Sequence, residues 1–167
     1  MTLFLKSLVF SVLVPGSVGL WIPLWVAARG GAVLAFPSSP AQGAALIPVA
    51  VGAAIYLWCA WDFAVRGRGT PAPIDAPKVL VVQGLYRYVR NPMYLGIGLV
   101  IPGWWLYFRM NDLLIYGAAV MMVVQLFVLF YEEPHLRRLF GEPYERYCGQ
   151  VRRWIPGKPF SERPPAA

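Results

Sequence analysis

The sequence predicts an all-α integral membrane protein with four transmembrane helices, a C-terminal helical hairpin and short amphipathic cytoplasmic helices. Hydrophobic residues make up 58% of the 167 residues, and the mean hydropathy is +0.54. Charged residues make up only 14%, whereas soluble domains carry about 25%. Four stretches are apolar over a length near the roughly 20 residues that a spanning helix needs. We therefore treat residues 1–167 as a single membrane domain.

The first apolar stretch resembles a signal peptide, but its apolar run is too long and its positively charged region holds only Lys6. The third stretch is short and rich in aromatic residues, and a tight turn at 109–112 joins it to the fourth as a helical hairpin. The predicted spans are residues 3–28, 44–65, 93–108 and 113–131.

Basic residues concentrate on one side of this predicted topology. If the amino terminus is cytoplasmic, only Arg29 and Arg109 of the 15 Lys and Arg residues fall on the external side. Cytoplasmic segments of membrane proteins carry an excess of Lys and Arg, so we expect both termini in the cytoplasm. Nucleic acid is not an expected partner, because the basic residues are scattered along membrane edges and no nucleic-acid motif occurs.

The predicted cytoplasmic segments are residues 66–92 and 132–156. Within the first, residues 78–82 form a short β-branched run that we expect to be extended. Within the second, Gly141-Glu142-Pro143 separates two short amphipathic helices, which could lie on the bilayer or cap a pocket. Residues 157–167 have the composition of a disordered tail. With a single histidine in the chain, no metal site of the usual Cys/His kind is expected.

The first polar cluster lies at the start of the third span. Asn91 followed by Pro92 is a helix start, with Asn as N-cap and Pro at the first helical position. The free N–H groups of that first turn, together with Arg90, can bind an anion. A capped span end with a snorkelling arginine is the alternative interpretation.

The second polar cluster, Glu132-Glu133, lies at the predicted end of the fourth span. Carboxylates at a helix C-terminus oppose the helix dipole by about 0.3–1 kcal/mol each. We expect either that Glu133 caps a new helix starting at Pro134 or that a bound cation offsets the charge. If both clusters meet at one membrane face, they suit a zwitterionic amino acid or a cationic sulfonium.

Five ordered motifs resemble those of a family of integral-membrane methyltransferases. That family includes isoprenylcysteine carboxyl methyltransferase and the phospholipid N-methyltransferases. The resemblance covers about half of the chain, and its order and spacing make it specific. The motifs are Gly84-Leu85-Tyr86, Arg90 to Gly96, Glu132-Glu133, Phe140 to Tyr147, and Val151-Arg152-Arg153 with Pro156 following.

The resemblance implies a multi-pass protein of a bacterial inner membrane with S-adenosylmethionine as its cofactor. It implies carboxyl-O- or N-methyl transfer to a lipid or a lipidated small-molecule or peptide acceptor at the cytoplasmic face. Arg90 and Tyr94 are the implied residues at the reacting centre. The implied cofactor contacts are Lys78, Val79, Leu80, Val81, Tyr86, Asn91, Pro92, Met93, Tyr94, Glu132 and Glu133.

Two departures from the family pattern bear on the acceptor. Asn91 stands where the eukaryotic branch has histidine. Residues 126–130 lack the arginine that carboxyl methyltransferases place one turn before the Glu pair, which argues against a prenylcysteine carboxylate. Two other functions remain open: an NADPH-dependent membrane reductase of the sterol-reductase type, and a non-enzymatic membrane scaffold.

Overall fold

The computed structural model describes residues 9, 11–67 and 79–161. All regular secondary structure within these residues is helical, and none of them forms a strand. One short 3₁₀ turn, Gly84–Arg87, precedes the third helix. The helices are α1 (Ser11–Arg29), α2 (Pro40–Val65), α3 (Pro92–Phe108), α4 (Asn111–Phe140) and α5 (Glu142–Gln150).

Three of these helices are long and apolar enough to cross a membrane. They are α1 with 19 residues, α2 with 26 and α4 with 30. The fourth apolar helix, α3, has 17 residues and falls short of that length. The predicted all-helical membrane fold is therefore confirmed, while the count of four spans stays a prediction that depends on α3.

Helices α2 and α3 approach closely because each has a glycine at the contact. A Cβ atom added to Gly96 would lie 2.7 Å from the carbonyl oxygen of Gly52, and one added to Gly52 would collide with the carbonyl of Gly96. Small residues at such crossings let two membrane helices pack backbone against backbone. The hairpin between α3 and α4 turns at Arg109, which adopts a left-handed conformation (φ 57°). The predicted turn is thus confirmed at residues 109–110, and α4 begins at Asn111, two residues earlier than predicted.

Helix α4 continues through the residues where the sequence predicted a break. The predicted fourth span ended at residue 131 and a new helix began at Pro134, but α4 runs on to Phe140. The chain accommodates the proline with a π-helical turn, Val128–Glu132, after which the Glu133 N–H donates to the Val128 carbonyl. A proline has no N–H, and its ring clashes with the regular α-helical backbone. Since the Glu pair lies within a continuous helix, the helix-dipole argument does not apply to it.

The predicted division at Gly141 is confirmed, because Gly141 takes a positive φ of 58° between α4 and α5. The two amphipathic segments pack on each other and on the extended segment that precedes the 3₁₀ turn. Helix α5 therefore caps the polar end of the bundle. The buried cluster that forms this cap comprises Tyr144, Tyr147 and Val151, with Leu80, Val82, Leu136, Phe140, Cys148 and Phe160 against it.

The start of the predicted disordered tail is ordered, so that prediction is wrong for residues 157–161. The Gly157 N–H donates to the Tyr88 carbonyl (2.9 Å), and the Phe160 N–H donates to the Arg87 carbonyl (2.8 Å). The Phe160 ring also packs edge-on against Tyr147, with ring centroids 5.5 Å apart. Residues 162–167 lie outside the described part of the chain.

Candidate functional site

A cavity at the polar end of the bundle brings most of the sequence-predicted residues together. It holds about 460 Å³ of space, part of which is open to solvent. Of the predicted contacts, Val79, Pro92, Met93 and Tyr94 do not line it, and Lys78 lies outside the described residues. The lining residues are Phe63, Leu80, Val81, Tyr86, Arg90, Asn91, Glu132, Glu133, Leu136, Phe140, Tyr144 and Tyr147.

The 3₁₀ turn forms one wall of this cavity. It starts at Gly84, whose positive φ (57°) and contact with the Asp62 carboxylate leave no room for a Cβ. Two residues on, Tyr86 is buried, packs edge-on against Phe63 and accepts a 2.6 Å hydrogen bond from the Tyr147 hydroxyl at its carbonyl. Burial raises the pKa of the Tyr86 and Tyr147 hydroxyls, so both remain neutral.

The segment that follows the turn is held by the chain's C-terminal part. The Arg90 backbone N–H donates to the Arg152 carbonyl (2.9 Å). Asn91 occupies the N-cap position of α3 and Pro92 the first turn, as predicted. The Asn91 side chain makes no capping hydrogen bond, however; its amide nitrogen donates to the Arg153 carbonyl (3.3 Å). The Asn91 side chain therefore attaches the C-terminal segment to the start of α3 and does not cap the helix.

Glu133 is paired with two arginines of the protein itself. Arg153 binds it in a bidentate manner, with Nε at 2.7 Å from one carboxylate oxygen and an Nη at 2.8 Å from the other. Arg90 adds a contact of 3.2 Å, and the Glu133 side chain is only 9% exposed. Bidentate charge-assisted pairs are among the stronger polar contacts in proteins. Glu133 caps no new helix, because α4 is continuous at this point, and two arginines of the protein match its charge.

Arg90 has one donor that the described residues do not satisfy. Its Nη1 lies near Glu133 and 2.8 Å from the Cys148 sulfur. Its Nε is buried and has no hydrogen-bond partner among the described residues. An unsatisfied buried donor costs about 1–3 kcal/mol, and more when the group is charged. Arg90 also lines the cavity, so an anionic ligand group there would face its guanidinium.

Glu132 has a different environment from its neighbour. The Tyr94 hydroxyl donates a 2.8 Å hydrogen bond to it from α3. Glu132 lines the cavity and forms no salt bridge with any described residue. Two adjacent carboxylates thus differ in role: the charge of Glu133 is matched inside the protein, and the charge of Glu132 remains available to a cationic ligand.

The predicted site residues did not include Arg153, Trp154 and Gln125, nor five of the residues that line the cavity: Phe63, Leu136, Phe140, Tyr144 and Tyr147. Arg153 pairs with Glu133, and the Trp154 indole donates to the Gln125 side chain (2.7 Å) while its ring lies 6.5 Å from that of Tyr94. The Val-x-Arg motif was a signal for Arg153, and a lone amide inside an apolar segment was a signal for Gln125. For Trp154 no signal existed beyond its place after the motif.

Comparison with known proteins places these features in a family. The profile of the phospholipid methyltransferase family matches residues 41–143, well over half of the chain. The chain belongs to the phospholipid methyltransferase family. The matched range covers α2, α3, α4 and most of the cavity wall, so the resemblance predicted from the five motifs is confirmed.

The chain is also similar to a protein of Haemophilus influenzae that is described as an uncharacterized protein. It is 36% identical over 64 residues, which are 38% of this chain and 100% of that protein. No solved structure matches the chain. The family membership therefore indicates a membrane methyltransferase.

Proposed function

We propose that this protein is an S-adenosylmethionine-dependent methyltransferase acting on a lipid or lipidated acceptor at the cytoplasmic membrane face. The observation that carries the proposal is the pairing of two unmatched groups in one cavity. Arg90 offers a buried Nε donor without a described partner, and Glu132 offers a carboxylate without a described salt bridge. The amino-acid portion of the cofactor has a carboxylate and an ammonium group, which complement these two groups.

The remaining cavity wall suits the rest of this cofactor. The side chains of Phe63, Leu136 and Phe140 give an apolar surface that fits an adenine ring. When bound, S-adenosylmethionine supplies a methyl group on a positively charged sulfur. The carboxylate of Glu132 and the rings of Tyr86 and Tyr144 provide surroundings that favour a cation.

The protein's own contribution to methyl transfer is alignment and exclusion of water. Tyr94 lies in the first turn of α3, where its hydroxyl is fixed by Glu132 and its ring neighbours Trp154. We propose that the acceptor's reactive head lies beside Tyr94. Arg90 was the other residue implied at the reacting centre. Glu133 holds its guanidinium in place, and in this proposal the guanidinium binds the cofactor's carboxylate.

An amine is the acceptor group that this arrangement favours over a carboxylate. A carboxylate acceptor needs a cation of its own, but Glu133 engages Arg153 and the proposal assigns Arg90 to the cofactor's carboxylate. Residues 126–130 carry no charge. An amine acceptor, in contrast, needs no cation from the protein, because it attacks as the free base after its proton has left to solvent.

The experiment uses the purified full-length protein in detergent or lipid vesicles. Radiolabelled S-adenosylmethionine is supplied with vesicles that contain either an aminophospholipid or a lipid whose head bears only a carboxylate. We expect label in the aminophospholipid fraction, and calorimetric binding of S-adenosylhomocysteine without comparable binding of NADPH. Label only in the carboxylate lipid would overturn the acceptor class. NADPH binding without sulfonium-cofactor binding would favour a reductase, and no binding of either would favour a scaffold.

A further inference from the structure

Two π-helical turns of this chain stand in the same relation to a proline. In α1, the turn Ser17–Trp21 is followed by Pro23, and the Ile22 N–H donates to the Ser17 carbonyl. In α4, the turn Val128–Glu132 is followed by Pro134, and the Glu133 N–H donates to the Val128 carbonyl. In both, the residue just before the proline bonds to a carbonyl five residues back. Two other prolines, Pro48 and Pro102, lie inside α-helical segments without this arrangement.

A π-helical turn holds one residue more than an α-helical turn. Each residue of a regular helix advances by about 100°. After the turn, each residue therefore points in the direction that the preceding residue would have in a regular helix of the same sequence. The part of α4 before the turn is fixed by its packing on α3, where Leu113 is fully buried and Gly117 lies against Ile101. The turn consequently sets the direction of Glu132 and Glu133.

We propose that Pro134 is a positioning residue for the candidate site: it holds the π-helical turn that directs Glu132 to Tyr94 and Glu133 to Arg153. Without a proline at 134, the missing N–H and the ring clash that oppose a regular helix disappear. The helix can then become regular. The expected effect of Pro134 on ligand binding rests on the proposed function. Its effect on the register of α4 does not.

If α4 were regular, each site residue on it would be replaced by the residue that precedes it in the sequence. Tyr131 would take the direction that Glu132 has now, and Glu132 would take the direction of Glu133. The carboxylate at Tyr94 would be replaced by a phenol, and the cation site would be lost. Glu132 would instead face Arg90 and Arg153, so the ion cluster would survive with a different member. Fold stability alone would not report this exchange.

Cysteine cross-linking measures the register without any ligand. Tyr94→Cys is combined with either Tyr131→Cys or Glu132→Cys in full-length protein in membranes, with Cys59→Ala and Cys148→Ser to remove the native thiols. A short bismaleimide then joins whichever pair is adjacent. With Pro134 present, we expect the 94/132 pair to react faster; with Pro134→Ala, we expect the 94/131 pair to react faster. The same preferred pair in both backgrounds would overturn the proposal.

Binding of S-adenosylhomocysteine supplies a second readout with a rescue. We expect Pro134→Ala to weaken binding by about tenfold or more, since a charged contact is lost. Deleting Phe130, which is 77% exposed, in the Pro134→Ala protein removes the extra residue and should restore the affinity. Pro23→Ala, which alters the equivalent turn in α1, should leave the affinity unchanged, because no residue of α1 lines the cavity.

These outcomes separate the inference from the function on which it partly depends. Unchanged affinity in Pro134→Ala, or a folded deletion variant that does not recover, would overturn the positioning role. If the unmodified protein binds no S-adenosylhomocysteine, the proposed function fails, and the cross-linking ratio still decides the role of Pro134.

Discussion

The Tyr94 hydroxyl of α3 donates a 2.8 Å hydrogen bond to the Glu132 carboxylate of α4. This contact joins two helices of the bundle at the edge of the polar cavity. The next residue, Glu133, faces Arg153 and Arg90 instead. These two glutamates are neighbours on α4, but Glu132 is available to a ligand, whereas Glu133 pairs with arginines of the protein.

Glu133→Gln should destabilise the protein, because it leaves Arg153 and Arg90 without their carboxylate. Breaking a largely buried ion pair by removing one partner costs about 3–5 kcal/mol. We place the expected loss at the lower end, about 3 kcal/mol, since the Arg153 side chain is 27% exposed. The melting temperature in detergent, read by intrinsic tryptophan fluorescence, measures the effect.

The matched control for Glu133→Gln is Glu142→Gln, which removes the partner of Arg146 in an exposed pair. The two side chains of that pair are 61% and 82% exposed, and such surface pairs contribute about 0–1 kcal/mol. If both variants have the melting temperature of the unmodified protein, the ion pairs of Glu133 with Arg90 and Arg153 do not hold the C-terminal segment.

Gly84→Ala should disrupt the 3₁₀ turn and the cavity wall behind it. Alanine at φ 57° is strained, and its Cβ would collide with the Asp62 carboxylate. Strained conformations of this kind cost about 1–3 kcal/mol, so the melting temperature should fall and ligand affinity should fall with it.

Gly149→Ala is the corresponding control, because it lies in α5 and an added Cβ meets nothing within 4 Å. A helical Gly-to-Ala change of this kind stabilises by about 0.5–1 kcal/mol. A loss of stability in Gly149→Ala equal to that in Gly84→Ala would show that the turn has no special requirement for glycine.

The topology remains open to a direct test with reporter fusions after Pro40, Asn111 and Ala167. The distribution of Lys and Arg predicts external signals at the first two positions and a cytoplasmic signal at the last. An external reporter at Ala167 would contradict the orientation. A cytoplasmic reporter at Asn111 would show that α3, with its 17 residues, does not cross the membrane.

Local signals predicted the parts of the structure that local interactions determine. The apolar stretches, the Asn91-Pro92 helix start and the Gly141 break depend on neighbouring residues and can be read from the sequence. The continuation of α4 past Glu133 could not be predicted, because a proline inside an apolar pattern normally marks a helix boundary. The π-helical turn that removes this boundary depends on how α4 packs on the rest of the bundle.

Long-range contacts account for the remaining differences. The pair Glu133 and Arg153 is 20 residues apart and crosses the turn at Gly141, so no helical period relates its members. The ordered start of the tail depends on Phe160 and two backbone hydrogen bonds, which its Pro-rich and polar composition does not reveal. The motifs thus located the site, and the three-dimensional structure distinguished its two glutamates.

Calorimetric titration of S-adenosylhomocysteine into the unmodified protein and Glu132→Gln tests the central claim most directly. The glutamine keeps an oxygen that can accept from Tyr94 but loses the charge, so affinity should fall by roughly ten- to a hundredfold with little change in melting temperature. Glu145→Gln, an exposed site whose side chain is 52% accessible, should bind as the unmodified protein does. Equal affinity in the unmodified protein and Glu132→Gln would contradict the assignment of Glu132 as the cation-binding carboxylate of the site.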